Sequence, residues 1–284
     1  MNLRLANEIA SNVLQTVQPY GTYMTENPIR HIKIIPIIIE GLDCVGKNTL
    51  SNSILSKIKE ETDDVIMLSF PDYTSESGKE ILQILHMEGT RSALLEQKLW
   101  TLMIRNRMEA ITKLRDTYDV EKDFGRRYYL ILDRFFLSNM AYGVEPQDKS
   151  ELLELINDSP VYKLAEFESD TYFKFFNNNG EGVSIILSYN ENDPDKAYIP
   201  GLEELIKKSI AIHKEFLDKK ENKDSNENMK KQAIVSSIYD LEGIDRKFHK
   251  VKHFLRYRPN ESLSDDAEAR IVPQVMEALK LWKI

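Results

Sequence analysis

Cysteine is almost absent: Cys44 is the single one among 284 residues. No internal disulfide can form, which points weakly to a reducing compartment and a cytoplasmic location. Long apolar runs are missing too. The longest, Ile34 to Ile39, falls far short of the roughly 20 residues of a membrane helix, so a soluble chain without membrane contacts is expected. The first residues are polar and carry no signal-peptide core. Positive charge is in deficit, 38 Lys and Arg against 46 Asp and Glu, for a net charge of −8. That balance disfavours bulk binding of nucleic acid but leaves room for a local cationic site for a phosphorylated small molecule. His and Cys do not cluster as zinc ligands do, and no internal repeat is present. What the chain does contain is near the globular average. Its 42% hydrophobic and 30% charged residues exclude wholesale disorder.

The pattern along the chain alternates strands with helices, which predicts an α/β fold with a mainly parallel sheet. Residues 1–31 read as an extension. A short helix is expected from Leu3 to Gln18, with Leu5, Ile9, Val13 and Val17 on one face, ended by Pro19 and Gly21. The run IKIIPIII (32–39) predicts a strand buried on both faces, fully paired from Ile37 because Pro36 lacks an N–H. Further strands are expected at 65–70, 128–132, 183–188 and 249–255. Helices are expected at 47–60, 77–88, 92–118, from Ser138, at 201–217 and after a capping cluster at Ser264, Asp265 and Asp266. Residues 145–180 give no clear pattern beyond a possible helix at 150–156, and 218–231 is a charge-dense polar segment. Both read as insertions in one domain spanning 32–284.

The strongest chemical signal is Gly41-Leu42-Asp43-Cys44-Val45-Gly46-Lys47-Asn48-Thr49. It matches the G-x-x-x-x-G-K part of a phosphate-binding loop, and it follows a buried strand and opens a helix as that loop must. Glycines let backbone N–H groups turn inward around phosphate oxygens, and the helix N-terminus adds a favourable dipole. The phosphate-binding set is Gly41, Val45, Gly46, Lys47, Asn48 and Thr49, with Lys47 reaching the β- and γ-phosphates of ATP. Asn48 stands where Ser or Thr usually ligates Mg²⁺; its amide oxygen is the corresponding candidate, with Asp133 as a second.

Together with three later segments, this loop resembles the thymidylate kinase family. IIIEGLDCVGKNT resembles the family's phosphate loop, where Glu-Gly-x-Asp precedes Gly-Lys. FPDYTSESGKEI (70–81), NRME (106–109) and DRFFLSNMAY (133–142) follow in the family's order. The resemblance covers residues 32–142 well, is loose from 183 onward and is absent from 1–31. It implies a three-layer P-loop kinase fold, a mainly parallel central sheet flanked by helices. It also implies ATP- and Mg²⁺-dependent phosphorylation of a pyrimidine deoxynucleoside monophosphate, dTMP first, to the diphosphate. Family members are usually homodimers, and the long helix at 92–118 is the surface that analogy suggests. The resemblance assigns Asp43 to the acceptor's sugar hydroxyl and Arg107 to its phosphate.

The chemistry of the residues agrees. Two anions must be held close together, and arginine grips phosphate bidentately, which makes Arg107 and Arg134 the acceptor-side candidates. Asp133 acts through Mg²⁺ or its water, or by positioning Arg134. Lys47, Asp133 and Arg134 form the expected catalytic set. Phe70 and Pro71 would wall the base pocket, Tyr142 would stack on the base, and Ser138 or Asn139 would bond its edge. Met103 stands where the family has a stacking phenylalanine, and its polarizable sulfur can pack against a base. Tyr73 replaces a family arginine. The stretch 189–201, where a lid normally carries arginines, offers only Lys196; Arg126 or Arg127 are the possible substitutes. Two other readings remain open here: a deoxynucleoside kinase using Glu40 as base toward a 5′-hydroxyl, and a nucleotide-binding protein with weakened catalysis.

Overall fold

The apolar run becomes β1 (Lys33–Gly41), buried from Ile34 to its end, at the centre of a five-stranded sheet. The computed structural model describes residues 1–43, 46–87, 89–117, 122–147, 149–177, 179–187, 229–239, 241, 243–257 and 267–280. The sheet is completed by β2 (Val65–Ser69), β3 (Arg127–Asp133), β4 (Val183–Leu187) and β5 (His253–Tyr257), in the order β2-β3-β1-β4-β5. All four pairings are parallel. β1 pairs with β3 from Lys33 but with β4 only from Ile37, so pairing on both edges begins just after Pro36. Parallel strands need crossovers, and helices on the faces supply both the crossover and the apolar cover.

These helices are α2 (Lys47–Lys59), α3 (Glu76–Leu85), α4 (Ala93–Thr117), α5 (Leu137–Gly143), α6 (Lys149–Leu155) and α7 (Pro160–Phe175). After β4 come α8 (Met229–Tyr239), α9 (Ile244–Phe248), a π-helical turn (Ala267–Ile271) and α10 (Val272–Lys280). No described helix is long and apolar enough to cross a membrane. The last strand starts four residues later than its pattern suggested. His249 instead closes α9, its N–H donating to Asp245 at 2.6 Å. The expected helix at 201–217, the lid stretch 189–201, most of 218–231 and the cap candidates 264–266 lie outside the described residues.

The first helix departs most from expectation. α1 runs Leu3–Glu26, straight through Pro19. An interior proline costs a helix about 3 kcal/mol. Against that, Ala6, Ile9, Ala10, Val13, Val17 and Met24 are fully buried, each large apolar side chain contributing about 1.5–3 kcal/mol. The helix packs on α4 and α7. At Gly21 the approach is so close that a Cβ would sit 2.3 Å from Phe167 Cζ. Toward α4, Arg105 and Arg115 lie over the rings of Tyr20 and Tyr23, 5.4 and 5.5 Å from the centroids.

The unpatterned stretch 145–180 resolves into α6 and α7. Ser159 caps α7, accepting from Tyr162 N–H at 3.0 Å, and Pro160 opens its first turn. The aromatic run TYFKFF forms the end of α7 and the residue after it. Tyr172 is buried with Phe135, ring centroids 4.8 Å apart. A helix buried on more than one side loses the clean 3.6-residue stripe, which is why periodicity did not reveal it.

Candidate active site

The phosphate loop leaves β1 at Gly41, whose φ of +145° brings its Cα against β4. A Cβ there would meet the Leu187 carbonyl at 2.2 Å, so only glycine fits. Gly46, with φ of +84°, caps α2. Cys44 and Val45 lie outside the described residues. Lys47 is buried, its ammonium donating to the Leu42 carbonyl across the loop. Asn48 and Thr49 are exposed on the first turn of α2, and Asn48 Oδ1 accepts from Asn52 Nδ2 at 3.0 Å.

Asp133 ends β3 beside β1, in register with Ile39. Burial pushes its carboxyl up, and Lys47 nearby pulls it back down. Its Oδ1 is buried with no hydrogen-bond partner among the described residues. An unpartnered carboxylate oxygen at the loop fits a hard cation, which P-loop sites hold with one or two protein ligands plus phosphate oxygens. No group of three His, Cys, Asp or Glu forms a dedicated metal cage among the described residues.

Beside the loop opens a cleft lined by Asp43, Phe70, Pro71, Met103, Arg107, Arg134, Ser138, Asn139 and Tyr142. Every acceptor-side residue singled out in the sequence is therefore on one cavity. Lys47 is not in its lining and stays within the loop. The cleft sits where α/β folds gather ligands, at the carboxyl ends of the strands.

Arg134 follows β3 with φ of +62°, an uncommon conformation for a side-chain-bearing residue. Its N–H donates to Ile39 O at 2.9 Å, tying the turn to β1. Its guanidinium forms an ion pair with Asp43 and lies over the Tyr142 ring, 5.1 Å from the centroid.

Arg107 is not on a solvated helix face; it is 3% exposed. Glu168 of α7, 1% exposed, accepts from Arg107 Nε at 3.1 Å and from Nη2 at 2.9 and 2.8 Å. Nη1 donates to Asn139 Oδ1 at 3.2 Å, and Tyr172 OH donates to Glu168 at 3.1 Å. Burial pushes the Glu168 carboxyl up while Arg107 opposes the shift. Asn139 Nδ2 is buried and without a partner among the described residues.

Sequence reasoning missed Glu168, because nothing near it marks a site. It also missed Trp100 in the cleft wall, and the Arg91–Glu96 pair there, 2.7 Å from Nε to carboxylate. Each arginine lining the cleft, at 91, 107 and 134, is matched with a carboxylate, at Glu96, Glu168 and Asp43.

Glu40 is fully buried in β1. It accepts from Ser138 N–H at 3.3 Å, Ser138 Oγ at 2.6 Å and Tyr239 OH at 3.0 Å. Both oxygens are thus occupied by protein donors, and Glu40 does not line the cleft. Arg126 and Arg127 sit at the opposite end of β3 from Asp133, roughly 20 Å away by strand rise. Arg126 is paired there with Asp64 and Asp123, so neither replaces a lid arginine.

A parallel sheet with a glycine loop of the phosphate-binding pattern at its central strand and a polar–aromatic cleft beside it defines a P-loop α/β fold. Residues 39–161 match the family model described as thymidylate kinase. Among curated proteins, the putative thymidylate kinase 251L of Invertebrate iridescent virus 6 is 28% identical over 117 residues, covering 41% of this chain and 51% of that protein. The chain thus matches about half the length of that relative. Among solved structures, a thymidylate kinase from Candida albicans superposes with a TM-score of 0.50 at 18% identity, over 88% of this chain and 93% of that one, a likeness of fold. Over residues 39–161 the chain is thus similar to thymidylate kinases, and the likeness of fold extends over most of its length.

Proposed function

We propose that the protein transfers the γ-phosphoryl group of ATP to dTMP, forming dTDP and ADP. The carrying observation is the convergence of all nine acceptor-side residues on one cleft beside the phosphate loop. An oxygen of the acceptor phosphate attacks the γ-phosphorus directly, the bond to the β-phosphate oxygen breaks, and no protein nucleophile is needed.

The loop backbone and Lys47 hold the donor phosphates. Binding there exchanges the Lys47 contact to the Leu42 carbonyl for phosphate oxygens. Arg134 meets the acceptor phosphate and Asp43, released from it, takes the sugar hydroxyl. Arg107 lies deeper, held by Glu168, and contacts the acceptor along with Asn139, whose unpartnered Nδ2 is a donor for the substrate. Phe70, Pro71, Met103 and Tyr142 enclose the base, with Ser138 at its edge. Asp133 and Asn48 are the residues that would hold Mg²⁺, which when bound screens the repulsion between donor and acceptor phosphates.

The burial of Glu40 under Ser138 and Tyr239 speaks against a base acting on a nucleoside hydroxyl. Homodimerisation belongs to the same proposal, with a constraint: α1 lies along α4, so a second copy docks beside that helix rather than in its place. A cytoplasmic location completes the reading. The test is ADP release with dTMP, dUMP, dCMP, dGMP and thymidine as acceptors. Fastest turnover is expected with dTMP. Turnover of thymidine alone would overturn the reading, and ATP binding without turnover of any monophosphate would leave a nucleotide-binding protein.

A further inference from the structure

One residue of α4 reaches across to the opposite wall of the cleft. Asn106 lies between Met103 and Arg107 on that helix and is 1% exposed. Its amide brackets the peptide of Asp72. The Asp72 N–H donates to Asn106 Oδ1 at 2.8 Å, and Asn106 Nδ2 donates to the Asp72 carbonyl at 3.2 Å. The same Nδ2 lies 2.8 Å from Ser75 Oγ and 3.0 Å from Ser77 Oγ. Ser75 is the N-cap of α3, its hydroxyl accepting from Gly78 N–H at 3.0 Å.

Asp72 belongs to no strand or helix; its carbonyl also accepts from Ser75 Oγ at 2.8 Å and Ser75 N–H at 3.3 Å, while its N–H is held by Asn106. The Asn106 amide reaches both groups, because it carries a donor and an acceptor side by side. Asp72 also shapes the turn, with Oδ1 accepting from Thr74 N–H at 3.0 Å and Thr74 Oγ1 at 2.6 Å. The consequence is geometric. Phe70, Pro71 and Tyr73 form one wall of the cleft, and Met103 and Arg107 belong to the facing helix. Asn106 ties the first wall, between Pro71 and Tyr73, to the helical turn between Met103 and Arg107.

We propose that Asn106 is a positioning residue that sets the spacing of the acceptor cleft and thereby its preference among pyrimidine monophosphates. This rests on the function proposed above. A displacement of about 1 Å in a positioning wall costs on the order of 10²-fold in rate. The amide touches acceptor walls and no part of the phosphate loop, so its loss acts on the acceptor and spares ATP.

The experiment compares the full chain with Asn106→Ala and Asn106→Asp in steady-state assays on dTMP, dUMP and dCMP, with thermal unfolding recorded for each. Asn106→Ala is expected to raise the dTMP KM by about tenfold or more, to lower the dTMP-to-dCMP ratio of kcat/KM, and to leave the ATP KM within about twofold. Asn106→Asp keeps the acceptor for the Asp72 N–H and loses the Nδ2 donors, so it should fall between. If Asn106→Ala does not fold, Ser75→Ala removes one contact of the same network and should shift the acceptor KM in the same direction, by less. An active wild type whose Asn106→Ala variant keeps its dTMP KM and selectivity, or loses dTMP and ATP affinity alike, overturns the proposal. A wild type that never turns over dTMP overturns the function reading instead, and equilibrium dTMP binding to the same variants then decides the role of Asn106.

Discussion

The glycine loop and the cleft beside it, the donor and acceptor halves of the proposed site, are built in opposite ways. The donor half is one continuous stretch: β1, its glycine loop and the first turn of α2. The acceptor half gathers Phe70 and Pro71 after β2, Met103 and Arg107 from α4, Arg134 after β3, Ser138, Asn139 and Tyr142 from α5, and Glu168 behind them on α7. A contiguous half depends on local backbone geometry, and in the proposed reading its Lys47 exchanges a main-chain partner for the ligand. A dispersed half depends on packing, and its charges also hold the fold together. The donor half can therefore lose function without losing structure, whereas the acceptor half cannot cleanly separate the two.

The largest expected effect breaks the donor half alone. If Lys47 holds the donor phosphates as proposed, Lys47→Ala should lower kcat by about 10⁴-fold, or about 5.5 kcal/mol, with the unfolding midpoint nearly unchanged. A midpoint that drops sharply would show the donor half to be structural after all.

Next comes Glu168→Gln in the acceptor half, which leaves the Arg107 charge buried without its counter-ion. Stability should fall by about 3–5 kcal/mol in urea unfolding, together with a weaker dTMP KM. A loss under about 1 kcal/mol would mean that the pair does not couple site to fold.

A third effect sharpens the comparison through pH. His249 is buried behind the acceptor half, its ring 5.3 Å from that of Phe136 and its Nδ1 2.7 Å from Ser184 Oγ. Burial lowers its pKa from 6.5 to about 4. The unfolded chain then binds the proton first as pH falls, so this contribution is complete above pH 6.5 and is lost between 6.5 and about 4. The loss should approach about 3 kcal/mol and be reduced in His249→Gln, read as the difference between the two stability-versus-pH curves. Parallel curves would rule this out.

The smallest effect returns to the donor half. Asn48 is exposed, so Asn48→Thr should change stability by no more than about 0.5 kcal/mol. It should nevertheless lower the Mg²⁺ concentration needed for half-maximal rate, since a hydroxyl there is the shorter ligand. An unchanged metal dependence would remove Asn48 from the metal site.

The same contrast explains what could be read before folding. The buried strand at 33–41, the loop at Gly41 to Lys47 and the helix that follows are local, and their signals are local: apolar β-branched runs, glycine and lysine at fixed spacing. The order of the later segments also singled out residues that the fold brings to one cleft. Glu168 carries no such signature, and Asn106 stands in the NRME segment without its contact being legible there, for each acts across a contact distant in sequence, on Arg107 and on Asp72. α1 was read as ending at Pro19 because propensity is a local quantity, while the burial that carries the helix to Glu26 comes from α4 and α7.

The sequence alone therefore determined the alternation of the sheet, the strand–glycine loop–helix unit and the residue types gathered at the cleft, since backbone conformation and spacing encode these within a few residues. Only the tertiary structure decided that each arginine in the cleft has a carboxylate matched to it, that Glu40 is sealed beneath Ser138 and Tyr239, and that one asparagine spans two walls. Those are choices of pairing and burial, and a charge or an amide acquires its partner only when distant segments are packed together and water is excluded.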